Sequence, residues 1–296
     1  MIRVQQAPRA GEIRQSARHV LFVEGKDENA IDPKIISILL KNRIRVEAMG
    51  PSFHIHSAAE ALHKYHPDYY FLIDRDHHDD DFIAKCWDRF PDPATSNLLV
   101  WRRREIENYF LIPDYLIQSE FLAVKEEKLR DIILDCCRKR IYLDAANQVI
   151  IKIREELKEN WIHLFTQIEE FKTSEDAIKK LMDASEFLYF KKKVSRHLNK
   201  NIVKKHYLNI LELFTGDKEK LEFNIGRWSE FVKGKSIVPT IINRCFKISD
   251  AFGKPLQGKR KIHEIIKDLV EKPIDGQPDD FKRLHNVISD RINSHG

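Results

Sequence analysis

Three short acidic clusters carry most of the chemistry legible in this chain. They are Glu24 and Glu28 in VEGKDE, Asp74 and Asp76 in LIDRDHHDDD, and Glu105 and Glu107 in REIENY. Alternate residues of an extended segment point the same way, so Asp74 and Asp76 are expected to converge on one point. Carboxylates held that close repel one another, and a divalent cation with oxygen-only coordination is the cheapest relief. Hard oxygen ligands with no thiol beside them favour Mg²⁺ or Mn²⁺ over zinc. Taken alone, a DxD after a strand is more often a helix cap or a turn device. Three clusters on successive elements favour the metal.

The elements that must position these acids are short. Strands are predicted at His19–Val23, Arg45–Ala48, Tyr69–Ile73 and Asn97–Trp101, each rich in Val, Ile, Leu, Phe or Tyr. Helical patterns fall between them at Ala30–Lys41, Ser57–Tyr65 and Asp79–Asp88. This alternation predicts βαβ units, a parallel Rossmann-like sheet and helices on both faces. In such a sheet ligands gather at the carboxyl ends of the strands. All three acidic clusters belong at that edge.

Beyond Pro113 the pattern turns helical. Segments Lys125–Ile141, Ala145–Lys158, Ser174–Ala184, Lys204–Phe214, Ile237–Phe246, Lys261–Lys272 and Asp279–Asn293 show apolar residues at helical spacing, with Pro239 placed in the first turn of one of them. The expected division is an α/β domain over residues 1–118 and a basic helical region over 119–296. Charge follows the same division. Residues 1–120 hold 16 Lys+Arg against 19 Asp+Glu, and residues 121–296 hold 35 against 27. An acidic first part suits a cation site and a basic second part suits a polyanion.

A hydrophobic stretch ending in VEG with an acid four residues after the Glu, followed two strands later by a hydrophobic stretch ending in DxD, resembles the Toprim domain. That domain is shared by topoisomerases, primases and OLD-family nucleases. WRRREIENYF resembles a block found in a Toprim subgroup encoded beside ABC-type ATPases in bacterial defence loci, the subgroup of the PARIS anti-phage effector nucleases. The motif resemblance covers about residues 19–115. It implies a metal-dependent endonuclease in which Glu24 is a metal ligand or general acid/base and Asp74 and Asp76 are metal ligands. Glu28 stands where many Toprim nucleases carry Asp. Glu107, or its neighbour Glu105, implies a ligand for a second Mg²⁺ or Mn²⁺. One ion would activate a water and the other would stabilise the leaving oxygen. Such nucleases often recruit a lysine from outside the motif core, and Lys235 in FVKGKS is the candidate. The resemblance further implies an ABC-type ATPase partner that restrains the chain, a dimer once released, and tRNA as substrate. An OLD-like DNA endonuclease and a non-catalytic Toprim scaffold are the competing expectations.

Several basic residues carry two readings. Lys26, Arg75, Arg103 and Arg104 adjoin the acidic clusters, where they either hold a scissile phosphate or neutralise the acidic edge. Lys191, Lys192 and Lys193, interleaved with Phe190 and Tyr207, either track a phosphate backbone or form a solvated helix face; the GKRK run at Gly258–Lys261 is similar.

Composition excludes other classes. With 296 residues, 42% hydrophobic and 33% charged, the chain is expected to fold without staples and to be neither membrane-embedded nor largely disordered. No apolar run approaches the roughly 20 residues of a spanning helix. The N-terminus does not read as a signal peptide, and four scattered cysteines read as reduced thiols in a cytoplasmic protein. GKS at Gly234–Ser236 lacks the upstream glycine of a Walker A loop, and strand one is not followed by G-x-G-x-x-G.

Overall fold

The computed structural model describes residues 19–25, 31–158 and 185–294, with isolated positions between 173 and 183. Strands β1 (Val20–Val23), β2 (Arg45–Ala48), β3 (Tyr69–Ile73) and β4 (Leu98–Val100) form one sheet in the order β2-β1-β3-β4. Every pairing is parallel, with Val23 opposite Ala48 on one side and Leu72 on the other. Strands β1 and β4 are buried throughout and β3 at all but its first residue, as expected where both faces are covered.

Helices α1 (Ile31–Leu39), α2 (Ser52–Leu62) and α3 (Asp80–Arg89) connect the strands. They pack against β2, β3 and β4 respectively. At the start of α3 the Asp79 carboxylate accepts the Phe82 N–H at 2.7 Å. Asp80 and Asp81 fill the first turn and Arg89 the last, each sign suiting its end of the helix dipole. Helix α2 starts at Ser52, directly after Pro51, five residues before the periodic pattern suggested.

The strand order reverses direction at β1. The chain moves from β1 outward to β2, then crosses back to β3 on the other side of β1. Right-handed crossovers then place α1 on one face and α2 and α3 on the other, opening a crevice beyond the carboxyl ends of β1 and β3.

The chain divides into two compact units, residues 1–136 with 233–296, and residues 137–232. This differs from the expected boundary at 118, because the last three long helices return to the sheet unit. Within that unit, the Gly258–Glu271 helix packs on α1 and the Gly234–Cys245 helix packs on a 3₁₀ turn at Ile106–Leu111. Phe281, on the Asp279–Ser294 helix, is fully buried among the rings of Trp101, Tyr109 and Tyr115. Such long-range apolar contacts leave no periodic trace in sequence. Pro239 is the sixth residue of its helix rather than a first-turn residue, because that helix begins three residues earlier than expected.

In the second unit the Ile141–Lys158 helix packs on the Lys200–Thr215 helix. The sequence reading missed the Ser185–His197 helix, whose apolar positions are masked by its run of lysines. The expected Ser174–Ala184 helix lies largely outside the described residues. Among the described residues no strand follows β4. No described helix is long and apolar enough to cross a membrane.

Candidate active site

Glu24 directly follows β1 and Asp74 directly follows β3, so adjacent parallel strands bring both to the crevice. The Asp74 N–H donates to Glu24 Oε1 at 2.9 Å. Glu105 and Glu107 leave β4 and enter the 3₁₀ turn, where both are buried. Lys235, second residue of the Gly234–Cys245 helix, joins these clusters. Its N–H donates to Glu105 Oε2 at 2.9 Å and its ammonium to Asp74 Oδ2 at 3.0 Å. Backbone contact between the helix and the turn makes this possible. A Cβ on Gly234 would lie 2.6 Å from Asn108 Oδ1 and 2.9 Å from Asn108 N, so only glycine fits there.

The cluster holds more acid than base. Burial, partly offset by the Asp74 N–H and reinforced by Asp76, raises Glu24 to about 7. Burial, with the charges of Asp32 and Glu105, raises Glu107 to about 8. Asp74 is pushed well above the ordinary carboxylate value by burial, against the pull of Lys235. Burial works against the charge on Lys235 too, but Asp74, Glu107, Asp32 and Glu105 outweigh it and raise its pKa. Its ammonium is therefore a fixed cation of the cluster.

Asp32 is the acid the sequence reading missed. It lies in the first turn of α1, is 7% exposed, and is raised to about 6 by burial, with Lys235 opposing and Glu105 adding to the shift. An acid at a helix start is ordinary for dipole reasons, so its type and place carried no distinguishing signal. Its position at the carboxyl edge of β1 was the available clue.

Other expected residues lie elsewhere. Asp76 does not converge with Asp74, because β3 ends at Ile73 and Asp76 takes a left-handed conformation with φ +43°. The period-2 alternation that would align them holds only while the chain stays extended. Asp76 is exposed and accepts a hydrogen bond from Ser52 Oγ at 2.9 Å, while its charge is still felt at Glu24. Arg75 is not a phosphate fork. It is 4% exposed, and its guanidinium donates to the Arg102 carbonyl at 2.8 Å and to Asp80 at 2.7 Å, bracing the loops after β3 and β4. Arg103 lies over the Tyr109 ring and the Arg104 carbonyl accepts the Arg75 N–H. Lys26 and Glu28 lie outside the described residues. Lys191, Lys192 and Lys193 belong to the other unit, on the Ser185–His197 helix.

Glu24, Asp32, Glu107 and Lys235 line a cavity of about 1080 Å³. Among the described residues no three Asp, Glu, His or Cys side chains are gathered as a ready ligand set. The donor chemistry nonetheless fits a hard divalent cation. Asp74 Oδ1 and Glu107 Oε2 are buried oxygens with no hydrogen-bond partner among the described residues, and both are carboxylate oxygens of the kind Mg²⁺ and Mn²⁺ take. No protein-family model and no curated protein matches the chain. Its fold is α/β, built on an all-parallel four-stranded sheet.

Proposed function

We propose that this chain is a metal-dependent endonuclease of the Toprim type. In this reading it is a toxic effector of bacterial anti-phage defence, a cytoplasmic counterpart of AriB, the nuclease subunit of the PARIS system. It would be restrained by an ABC-type ATPase partner and, once released as a dimer, would cleave tRNA. One observation carries the catalytic part of the reading. Glu24, Asp74, Lys235 and Glu105 are linked by consecutive hydrogen bonds at 2.9, 3.0 and 2.9 Å, joining all three acidic clusters at the strand-order reversal of a parallel sheet. A structural use of so many acids at one edge would call for as many cations, and among the described residues Lys235 is the cation bonded to them.

Glu24, Asp74 and Glu107 would hold the Mg²⁺ or Mn²⁺ ions, with Glu105 beside them. Bound there, one ion would activate a water and the other would stabilise the leaving oxygen of a phosphodiester. Glu24, bonded to the Asp74 N–H at the crevice, is placed either to hold the ion or to accept the proton of the attacking water. Lys235, a fixed cation beside Asp74, can stabilise charge that develops on the phosphoryl oxygens.

The test is cleavage of end-labelled total tRNA and of plasmid DNA by the purified chain with Mg²⁺ or Mn²⁺, beside Glu24→Ala. Metal-dependent tRNA cutting that disappears in the variant supports the reading. Cutting of DNA alone moves the substrate to the OLD-like class. No cutting of either, with the ATPase partner absent or disengaged, leaves a binding scaffold.

A further inference from the structure

The 1080 Å³ cavity is also lined by basic residues that the chemistry above does not use. Glu24, Glu107 and Lys235 line it, and so do Lys34 of α1 and Lys259, Arg260, His263 and one carboxylate, Glu264, of the Gly258–Glu271 helix. Lys259 and Arg260 are exposed, and neither has a carboxylate partner among the described residues. Exposed lysines with no carboxylate partner among the described residues also occur elsewhere in this unit, as at Lys64 and Lys85, so what sets Lys259 and Arg260 apart is their place in the cavity. Other cations of the unit are paired. Arg75 is paired with Asp80, Arg102 with Asp280, Lys272 with Asp268 and Arg244 with Asp135. Cations left unpaired in the cavity that holds the carboxylate cluster are set for an anion brought from outside.

The kind of anion follows from size and charge. Small-molecule pockets run to roughly 300–1,000 Å³, and this space is at the upper end or beyond. A polyanion approaching four buried carboxylates is repelled unless cations flank the approach. The apolar side chains of Val238, Ile262 and Ile266 also line the cavity and can take sugar or base edges.

We propose that Lys34, Lys259, Arg260 and His263 form a phosphate-binding wall, on which the backbone of a nucleic-acid strand lies beside the scissile bond. This rests on the nuclease reading and adds to it the path of the strand. Lys259 and Arg260 are positioning residues: they hold phosphates flanking the one that reacts.

The experiment measures binding, so it does not depend on turnover. The full chain carrying Glu24→Gln is titrated with fluorescent single strands and duplexes of RNA and DNA over a range of salt, with and without Lys259→Ala/Arg260→Ala. The double substitution is expected to weaken binding about tenfold on every sequence, and to lower the slope of log K against log salt by about 2. Unchanged affinity and slope would overturn the wall while leaving the nuclease reading to its own cleavage assay. A ten-nucleotide strand bound no more tightly than a mononucleotide would overturn it too. If the parent chain binds no nucleic acid while circular dichroism shows it folded, both readings fail together.

Discussion

The Lys235 ammonium lies 3.0 Å from Asp74 Oδ2, a contact between residues 161 positions apart in the chain. The pair joins the end of β3 to the Gly234–Cys245 helix. It also leaves Asp74 Oδ1 buried with no hydrogen-bond partner among the described residues. A carboxylate held by one cation and open on its other oxygen has one oxygen left for a further partner, the Mg²⁺ or Mn²⁺ of the proposed function.

Lys235→Met should therefore act on both stability and activity. Removing the ammonium leaves Asp74 buried and unpaired. The cost is about 1–3 kcal/mol, below the roughly 3–5 of a fully buried pair, because 41% of the lysine side chain is exposed. Urea unfolding at pH 8 measures it. The loss should shrink at pH 5, where the carboxylates can take up protons, and a loss of equal size at both pH values would reject the ion pair as its cause.

The raised carboxylates set a pH dependence whose sign is fixed. Glu24, Glu107 and Asp32 hold protons in the folded chain to about 7, 8 and 6, against ordinary values of 4.5, 4.5 and 3.8. Between those limits the folded state binds more protons than the unfolded state, so stability falls as pH rises from about 4 to 8. Added Mg²⁺ or Mn²⁺ favours the ionised forms and should flatten or reverse that fall. Thermal melts across this range, with and without the ion, read it directly. Melting points that climb from pH 5 to 8 in metal-free buffer would contradict the assignment.

Gly234→Ala puts two effects against each other. Helix propensity alone would favour alanine by about 1 kcal/mol. The added Cβ would meet the Asn108 backbone nitrogen at 2.9 Å, so the helix must shift from the 3₁₀ turn and carry Lys235 with it. We expect a net loss of about 1–3 kcal/mol and a larger loss of cleavage than of stability. Chemical denaturation beside a rate measurement separates the two. A more stable variant would mean the close approach is not needed.

Asp32→Asn should move stability and function in opposite directions. Removing one acid from an overcharged buried cluster relieves repulsion, so the metal-free chain should be as stable or more stable at pH 8. Affinity for Mn²⁺, followed by titration calorimetry, should fall. A variant that loses stability while keeping its affinity would make Asp32 a helix-start residue and nothing more.

Much of the sheet was legible in the chain because strand formation here is local. The runs at Val20–Val23, Tyr69–Ile73 and Leu98–Val100 are apolar or aromatic and bounded by charged or turn residues, while the edge strand Arg45–Ala48 alternates charged with apolar residues. Their alternation with helices predicted a parallel sheet, and the edge on which the acids fall followed from it. Motif spacing pointed to Glu24, Glu28, Asp74, Asp76, Glu105 and Glu107 as one set, of which Glu24, Asp74, Glu105 and Glu107 come together around Lys235.

What each acid does there was decided by contacts between distant segments. The turn after β3 sends Asp76 outward through a left-handed residue, which no alternation rule anticipates. Arg75 reads as a phosphate ligand by type but is buried as a brace between loops. Asp32 enters the cluster because α1 starts at the edge where Lys235 arrives. The helices after residue 232 return to the sheet, while residues 137–232 form a unit of their own. The sequence by itself determined strands, helices and the edge on which acids gather, since these depend on neighbours a few residues apart. Only the tertiary structure decided which acids are buried, which cation serves them and which basic side chains line their cavity, since those depend on packing between segments more than a hundred residues apart.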